Sequence, residues 1–164
     1  MRTADIARVA NLLGALAVAI EDSVQAGSRD AALVALDSHP RRSVAHLSRA
    51  LGRSHSATVR LVDGMAAAGL LERRTGSDSR SVALVLSVAG TAAAREVRSR
   101  RADVLERLVQ TLDSGHVDHL EPILEQLLEA TATDADSPWR TCRLCDEACC
   151  EDGRECPVDR AAPW

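Results

Sequence analysis

The sequence predicts a mainly α-helical chain interrupted by one small β-hairpin, and three observations predict it. The hydrophobic 46% of the 164 residues comes largely from Leu, Val, Ile and Ala, with no Phe, no Tyr and two Trp, and Ala and Leu are among the strongest helix formers. Apolar residues recur at three- and four-residue spacing along most of the chain, with two short stretches of strand character near its middle. Charge gathers in the same region: residues 39–101 hold twelve Arg against four carboxylates, a net +8, inside a chain of formal charge −4. The flanks carry the balance, −2 over residues 1–38 and −10 over residues 102–164. Such an excess around two short helices and a hairpin is an electrostatic footprint for a polyanion, and the sequence pI of about 5.7 conceals it.

In chain order, residues 4–26 read as a first helix on the spacing of Ile6, Val9, Leu13, Leu16, Ile20 and Val24, stopped by Gly27. A shorter helix over residues 29–37 ends before His39-Pro40, because the residue preceding proline avoids helical angles. Ser43 caps a helix whose buried stripe is Val44, Leu47 and Leu51, closed by Gly52. Ser54 caps the next, which turns Ala57, Leu61, Met65 and Ala68 to one face and ends at Gly69. Two short helices joined by a glycine-containing turn make a helix-turn-helix. Residues 70–74 and 82–86 then read as strands around a polar loop from Thr75 to Arg80, a hairpin with arginine at its tip. Helical spacing returns over residues 88–112. After the Asp113-Ser114-Gly115 break, a last helix carries Val117, Leu120, Leu124 and Leu127, with Pro122 either in its first turn or at a kink. Residues 131–141 read as a polar linker before a cysteine-rich tail.

A helix-turn-helix followed by a hairpin is the order of a winged helix. The run Val44-Ala45-His46-Leu47-Ser48-Arg49-Ala50-Leu51-Gly52, the helix Ser56-Ala57-Thr58-Val59-Arg60-Leu61-Val62-Asp63 and the turn Ala68-Gly69-Leu70-Leu71-Glu72-Arg73-Arg74 are followed by Asp78-Ser79-Arg80 and Leu86-Ser87-Val88-Ala89-Gly90. Together these resemble the MarR family of bacterial transcription regulators, in motif over residues 30–92 and in helix order over residues 1–130, with Gly64-Met65 replacing a bulkier pair. The resemblance implies that Arg80 enters the minor groove from the wing, oriented by Asp78. It also implies that the N- and C-terminal helices interlock into a two-fold dimer, setting two recognition helices about one DNA turn apart.

The residues give a compatible reading of their own. A capped helix about four turns long fits the major groove, so its early residues Ser54, His55, Ser56, Thr58 and Arg60 are the candidates to face bases, while Arg53, Arg73 and Arg74 suit phosphates. The apolar stripes of the terminal helices exceed what a winged helix can cover, so a second copy is expected on them. The expected organisation is an N-terminal dimerisation helix (1–28), a winged helix-turn-helix (29–90), C-terminal dimerisation helices (91–132) and a linker with the tail (133–164).

Five Cys within fifteen residues form the second signal. Cys142 and Cys145 are a two-residue-spaced chelating pair, and Cys150 and Cys156 complete four thiolates, with Cys149 as the alternative to Cys150. Four thiolates suit tetrahedral zinc or an iron–sulfur cluster, and spacing leaves the choice open. No Ser-His-Asp set, phosphate-cradling glycine loop or paired carboxylate points to catalysis, and no apolar run reaches the length of a membrane span. The expectation is therefore a cytoplasmic, homodimeric, non-enzymatic regulator, a repressor of a near-palindromic duplex DNA operator, modulated by the redox or metal state of the cysteine cluster. The alternatives are a winged-helix protein-interaction module with a structural zinc staple, or a regulator of this type that senses a small molecule.

Overall fold

A computed structural model describes residues 3–76, 82–150 and 154–163. Helices α1 (Thr3–Val24), α2 (Ser28–Ser38), α3 (Val44–Ala50) and α4 (His55–Ala67) precede the antiparallel strands β1 (Leu71–Thr75) and β2 (Val82–Leu86). Helices α5 (Val88–Val109) and α6 (Ser114–Glu129) follow, then the short helices α7 (Ser137–Thr141), α8 (Glu147–Cys150) and α9 (Pro157–Ala161). The hairpin pairs Leu71 with Leu86 and Thr75 with Val82. The expected wing residues Asp78 and Arg80 lie outside the described residues.

Local chemistry moves several expected boundaries. Helix α1 stops at Gln25, which takes the left-handed conformation (φ 49°) while its N–H donates to the Glu21 carbonyl at 2.9 Å. Gly27 is instead the N-cap of α2, its N–H donating to the Asp30 carboxylate at 3.2 Å. Ser43 and Ser54 cap α3 and α4 as expected, accepting from the N–H groups of His46 and Ala57. The buried face of α4 is Thr58, Val62 and Met65, rotated by about one residue from the expected stripe over its first turns. The Thr58 hydroxyl donates to the Ser54 carbonyl at 3.1 Å, so the side chain goes inside with its polar atom satisfied. Pro122 lies inside α6, which begins at Ser114 with the Asp113 carboxylate accepting from His116 N–H at 2.9 Å. The first-turn placement is thereby ruled out, and the Asp118 carbonyl loses the N–H that a non-proline residue would give it.

The core is aliphatic, as the composition requires. Ala32, Leu33 and Leu36 of α2 pack with Leu47, Val62, Met65, Leu70, Leu71, Leu84 and Ala94. The far edge of β2 is covered by the chain between α2 and α3, since Arg41 N–H donates to the Leu84 carbonyl (3.1 Å) and Leu84 N–H to that of Arg42 (2.9 Å). Arg98 pairs with Asp37, and Arg100 with Asp30 at 3.5 Å, which fastens α5 to the α2 side of the domain. Helix α1 leans on α5, while Ile6, Val9, Leu12, Leu13, Leu16 and Val18 stay exposed. Ile123, Leu124 and Leu127 of α6 are exposed as well. No single helix among the described residues is long and apolar enough to cross a membrane.

One junction joins α4, the hairpin and α5. Gly69 holds a left-handed turn (φ 70°) that lets Leu70 N–H donate to the Met65 carbonyl at 3.0 Å. Ser87 then donates its hydroxyl to the Gly69 carbonyl (2.7 Å) and its N–H to the Leu70 carbonyl (3.0 Å), while its Oγ accepts from Gly90 N–H (3.1 Å) as the α5 cap. A Cβ on Gly90 would stand 1.9 Å from the Leu70 carbonyl oxygen. This contact explains the leucine-serine-x-x-glycine run. Gly90→Ala should therefore lower stability by about 2 kcal/mol or more. Gly14→Ala, with nothing within 4 Å in mid-α1, should be neutral or stabilising by up to about 1 kcal/mol. Denaturant midpoints check both, and equal midpoints would remove the junction from the account.

Candidate nucleic-acid interface

The first turn of α4 is presented at the surface. Ser54, His55, Ser56 and Arg60 are exposed, and Ser54 and Ser56 bring their hydroxyls within 3.4 Å of each other. Arg60 has no carboxylate partner among the described residues, which leaves its guanidinium available to a ligand. Thr58, expected among the base-facing residues, is 0% exposed and committed to its own helix, so it supports α4 from within and does not reach a groove. Arg53 donates to the Ser28 hydroxyl, tying the turn before α4 to the start of α2. Arg73 is held at 2.6 Å by Asp63 of α4, and Arg74 at 2.9 Å by Glu72 beside it on β1. Both arginines are exposed, yet their charge is partly spent inside the domain. Arg41 and Arg42, which pattern reasoning counted only in the charge total, stand exposed beside the hairpin, with Arg41 donating to the Thr75 carbonyl at 3.1 Å. Their main-chain pairing with β2 is what places them there, and no local sequence signal announces it.

Residues 31–81 match the family model of the MarR family. Over that segment the chain is similar to MarR-family winged-helix proteins. It is 34% identical over 100 residues to the transcriptional repressor MprA of Escherichia coli, a match over 59% of this chain that spans 57% of the length of that relative. Among solved structures it superposes on a MarR family protein from Bacillus stearothermophilus with a TM-score of 0.70 at 23% identity, over 77% of this chain and 95% of that one. RV1404 from Mycobacterium tuberculosis gives 0.64 at 27% identity, over 79% and 95%.

The cysteine-rich tail lies beyond the matched segment and docks on the MarR-type domain. The supposed linker is partly helical, with Ser137 and Pro138 buried. Trp139 sets its ring edge-on against His46 (centroids 4.3 Å) and His39 (4.7 Å), with the Arg42 guanidinium over it at 5.4 Å. Arg49 of α3 pairs with Asp136 at 3.1 Å, and His39 meets Glu147 at 2.8 Å. On the other side, Arg160 pairs with Glu129 and Arg154 with Glu121, both of α6. The tail thus bridges α3 and α6.

The thiols lie within this bridge. Cys142 Sγ is 3.8 Å from that of buried Cys156, and Cys145 N–H donates to the Cys142 carbonyl at 2.8 Å. The neighbouring Cys142 thiol brings Cys145 down to about 7, and Cys145 with burial pushes Cys142 up. Cys150 is exposed and lines a cavity of about 390 Å³ against Leu120, Leu124 and Leu128 of α6, and the Cys149 side chain lies outside the description. Among the described residues no three ligand-type side chains already surround one point fit for a metal ion.

His46 connects the docking to pH. Burial above all, then the positive charges of Arg42, Arg49 and His39, lower its pKa to about 4 from 6.5, with Asp136 opposing. The folded value lies below the unfolded one, so the docked state is fully favoured above 6.5 and loses stability as pH falls toward about 4. In a Trp164→Phe background, Trp139 emission should shift toward that of solvated indole across this window, and His46→Gln should blunt the shift. A flat profile would remove His46 from the docking.

Proposed function

We propose that the chain is a homodimeric, sequence-specific DNA-binding transcription regulator, acting as a repressor on a near-palindromic operator. One observation carries the reading most of all: the capped first turn of α4 holds His55, Ser56 and Arg60 exposed at the surface, Arg60 without a carboxylate partner among the described residues. Hydroxyl, imidazole and guanidinium groups are suited to base edges in the major groove, and Arg41, Arg42, Arg73 and Arg74 supply cationic groups on the same domain for phosphates. MprA, a transcriptional repressor, supports the direction of regulation.

The exposed apolar faces of α1 and α6 support a second copy as the partner that covers them. Deleting residues 1–24 should convert a soluble dimer to monomer or aggregate, which light scattering reads directly. Retention of the dimer would move the interface elsewhere.

The tail gives the regulator its proposed input. Its thiols sit between α3 and α6, and the neighbouring Cys142 lowers the Cys145 pKa, favouring the thiolate that reacts with oxidants and binds metals. A change there reaches the helix that supports α4 and a helix of the proposed dimer interface. Arg60→Ala should change base preference and weaken operator binding by about 1 to 3 kcal/mol, and Arg80→Ala in the wing should cost about as much. Gel-shift titrations at fixed salt test both. Unchanged affinity in either variant would take that residue out of the interface, and duplex affinity absent in the parent protein would favour a protein-interaction module.

A further inference from the structure

We infer that Cys142, Cys145 and Cys156 ligate a single thiophilic divalent cation of the zinc class, with a fourth thiolate from the Cys149-Cys150 pair, and that this ion straps helix α3 to helix α6. The inference deepens the tail reading above and rests on it.

The geometry narrows the choice that spacing left open. Zinc–sulfur bonds of about 2.3 Å at tetrahedral angles set neighbouring sulfurs about 3.8 Å apart. Cys142 and Cys156, thirteen residues apart in the intervening chain, hold their sulfurs at 3.8 Å. Thiolates on different irons of a four-iron cluster stand farther apart than this, so the contact fits one ion rather than a cubane. Cys145, separated from Cys142 by two residues in the chelating spacing, is turned back toward it, its N–H donating to the Cys142 carbonyl at 2.8 Å. An ion therefore has to draw Cys145 and the fourth thiol onto a pair of sulfurs that already touch. Each thiol that ligates releases its proton to solvent.

The position of the thiols assigns the ion its role. Cys142 is the C-cap of α7 and Cys156 the N-cap of α9. Each helix has five residues, too few to persist without external support. Helix α7 packs on α3, α9 on α6, and the two on each other. An ion joining those two caps fixes both helices, and through them the distance between the α3–α4 unit and α6. Without it the bridge rests on the Trp139 ring contacts, the buried Pro138 and Val158, and exposed ion pairs such as Arg49–Asp136 and Arg160–Glu129, which individually contribute little.

The test uses full-length protein purified without oxygen. After metal analysis, the stripped protein is titrated with cobalt(II), then with zinc. One ion per chain is expected, with the intense visible absorption of tetrahedral thiolate cobalt, displaced by zinc and weakened by roughly tenfold or more in Cys142→Ser and Cys156→Ser. Cys149→Ser and Cys150→Ser should differ, identifying the fourth ligand. Zinc should also slow hydrogen exchange across residues 137–141 and α3. No saturable cobalt band, iron with acid-labile sulfide, or a bound ion that leaves exchange in α7 unchanged would each overturn the proposal. Operator affinity in the same samples separates the two readings: DNA binding without metal defeats this site alone, whereas metal without DNA binding defeats the regulator and leaves the site.

Discussion

Helix α4, the β1–β2 hairpin and the long helix α5 are all pinned at two consecutive carbonyls, those of Gly69 and Leu70. The Gly69 oxygen takes the Ser87 hydroxyl, and the Leu70 oxygen takes the Ser87 N–H with Gly90 pressed beneath it. Because Leu70 N–H also closes the end of α4 onto Met65, the aim of α4 is set by the same few atoms that start β1 and α5. A side chain on Gly90 or a residue unable to turn at Gly69 would separate α4 from the hairpin and α5. The aliphatic core around Val62, Met65, Leu71 and Leu84 adds bulk stability, while this polar junction sets direction.

Charge is sorted around that frame. The α5 arginines Arg98 and Arg100 turn toward Asp37 and Asp30 of α2, and Arg49 of α3 is met by Asp136 from the tail. Asp63 takes Arg73. Arg60 remains unpaired at the surface among the described residues. A net +8 is therefore divided between cations that bind the protein to itself and cations left for a polyanion. The acidic tail is part of the sorting. It occupies the outer side of α3 through Trp139, His46 and Arg49, so the same segment that lowers the overall charge also buttresses the helix on which α4 packs.

The order of elements through α6 was legible because capping residues and helical spacing act locally: Ser43 and Ser54 each accept the bond their position implies. What sequence reading missed depended on partners distant in the chain. The stop at Gln25 and the capping role of Gly27 follow from how α1 meets α2. The inward turn of Thr58 follows from packing that favours Val62 over Leu61. Composition marked residues 131–141 as a linker because they are polar, yet a single Trp139 set edge-on against two histidines is enough to dock them. Spacing alone found the thiols. That Cys142 and Cys156 meet while Cys150 faces the α6 cavity required the fold.

The central claim is that the exposed turn of α4 reads duplex DNA as one of a symmetric pair. The most direct measurement is selection of bound duplexes from a random library by the full-length protein, followed by hydroxyl-radical footprinting of the enriched sequence. The account predicts an inverted-repeat consensus protected on one face at two sites about one helical turn apart, with affinity falling steeply as salt rises. A library that emerges unenriched, or a footprint without two-fold symmetry, would contradict it.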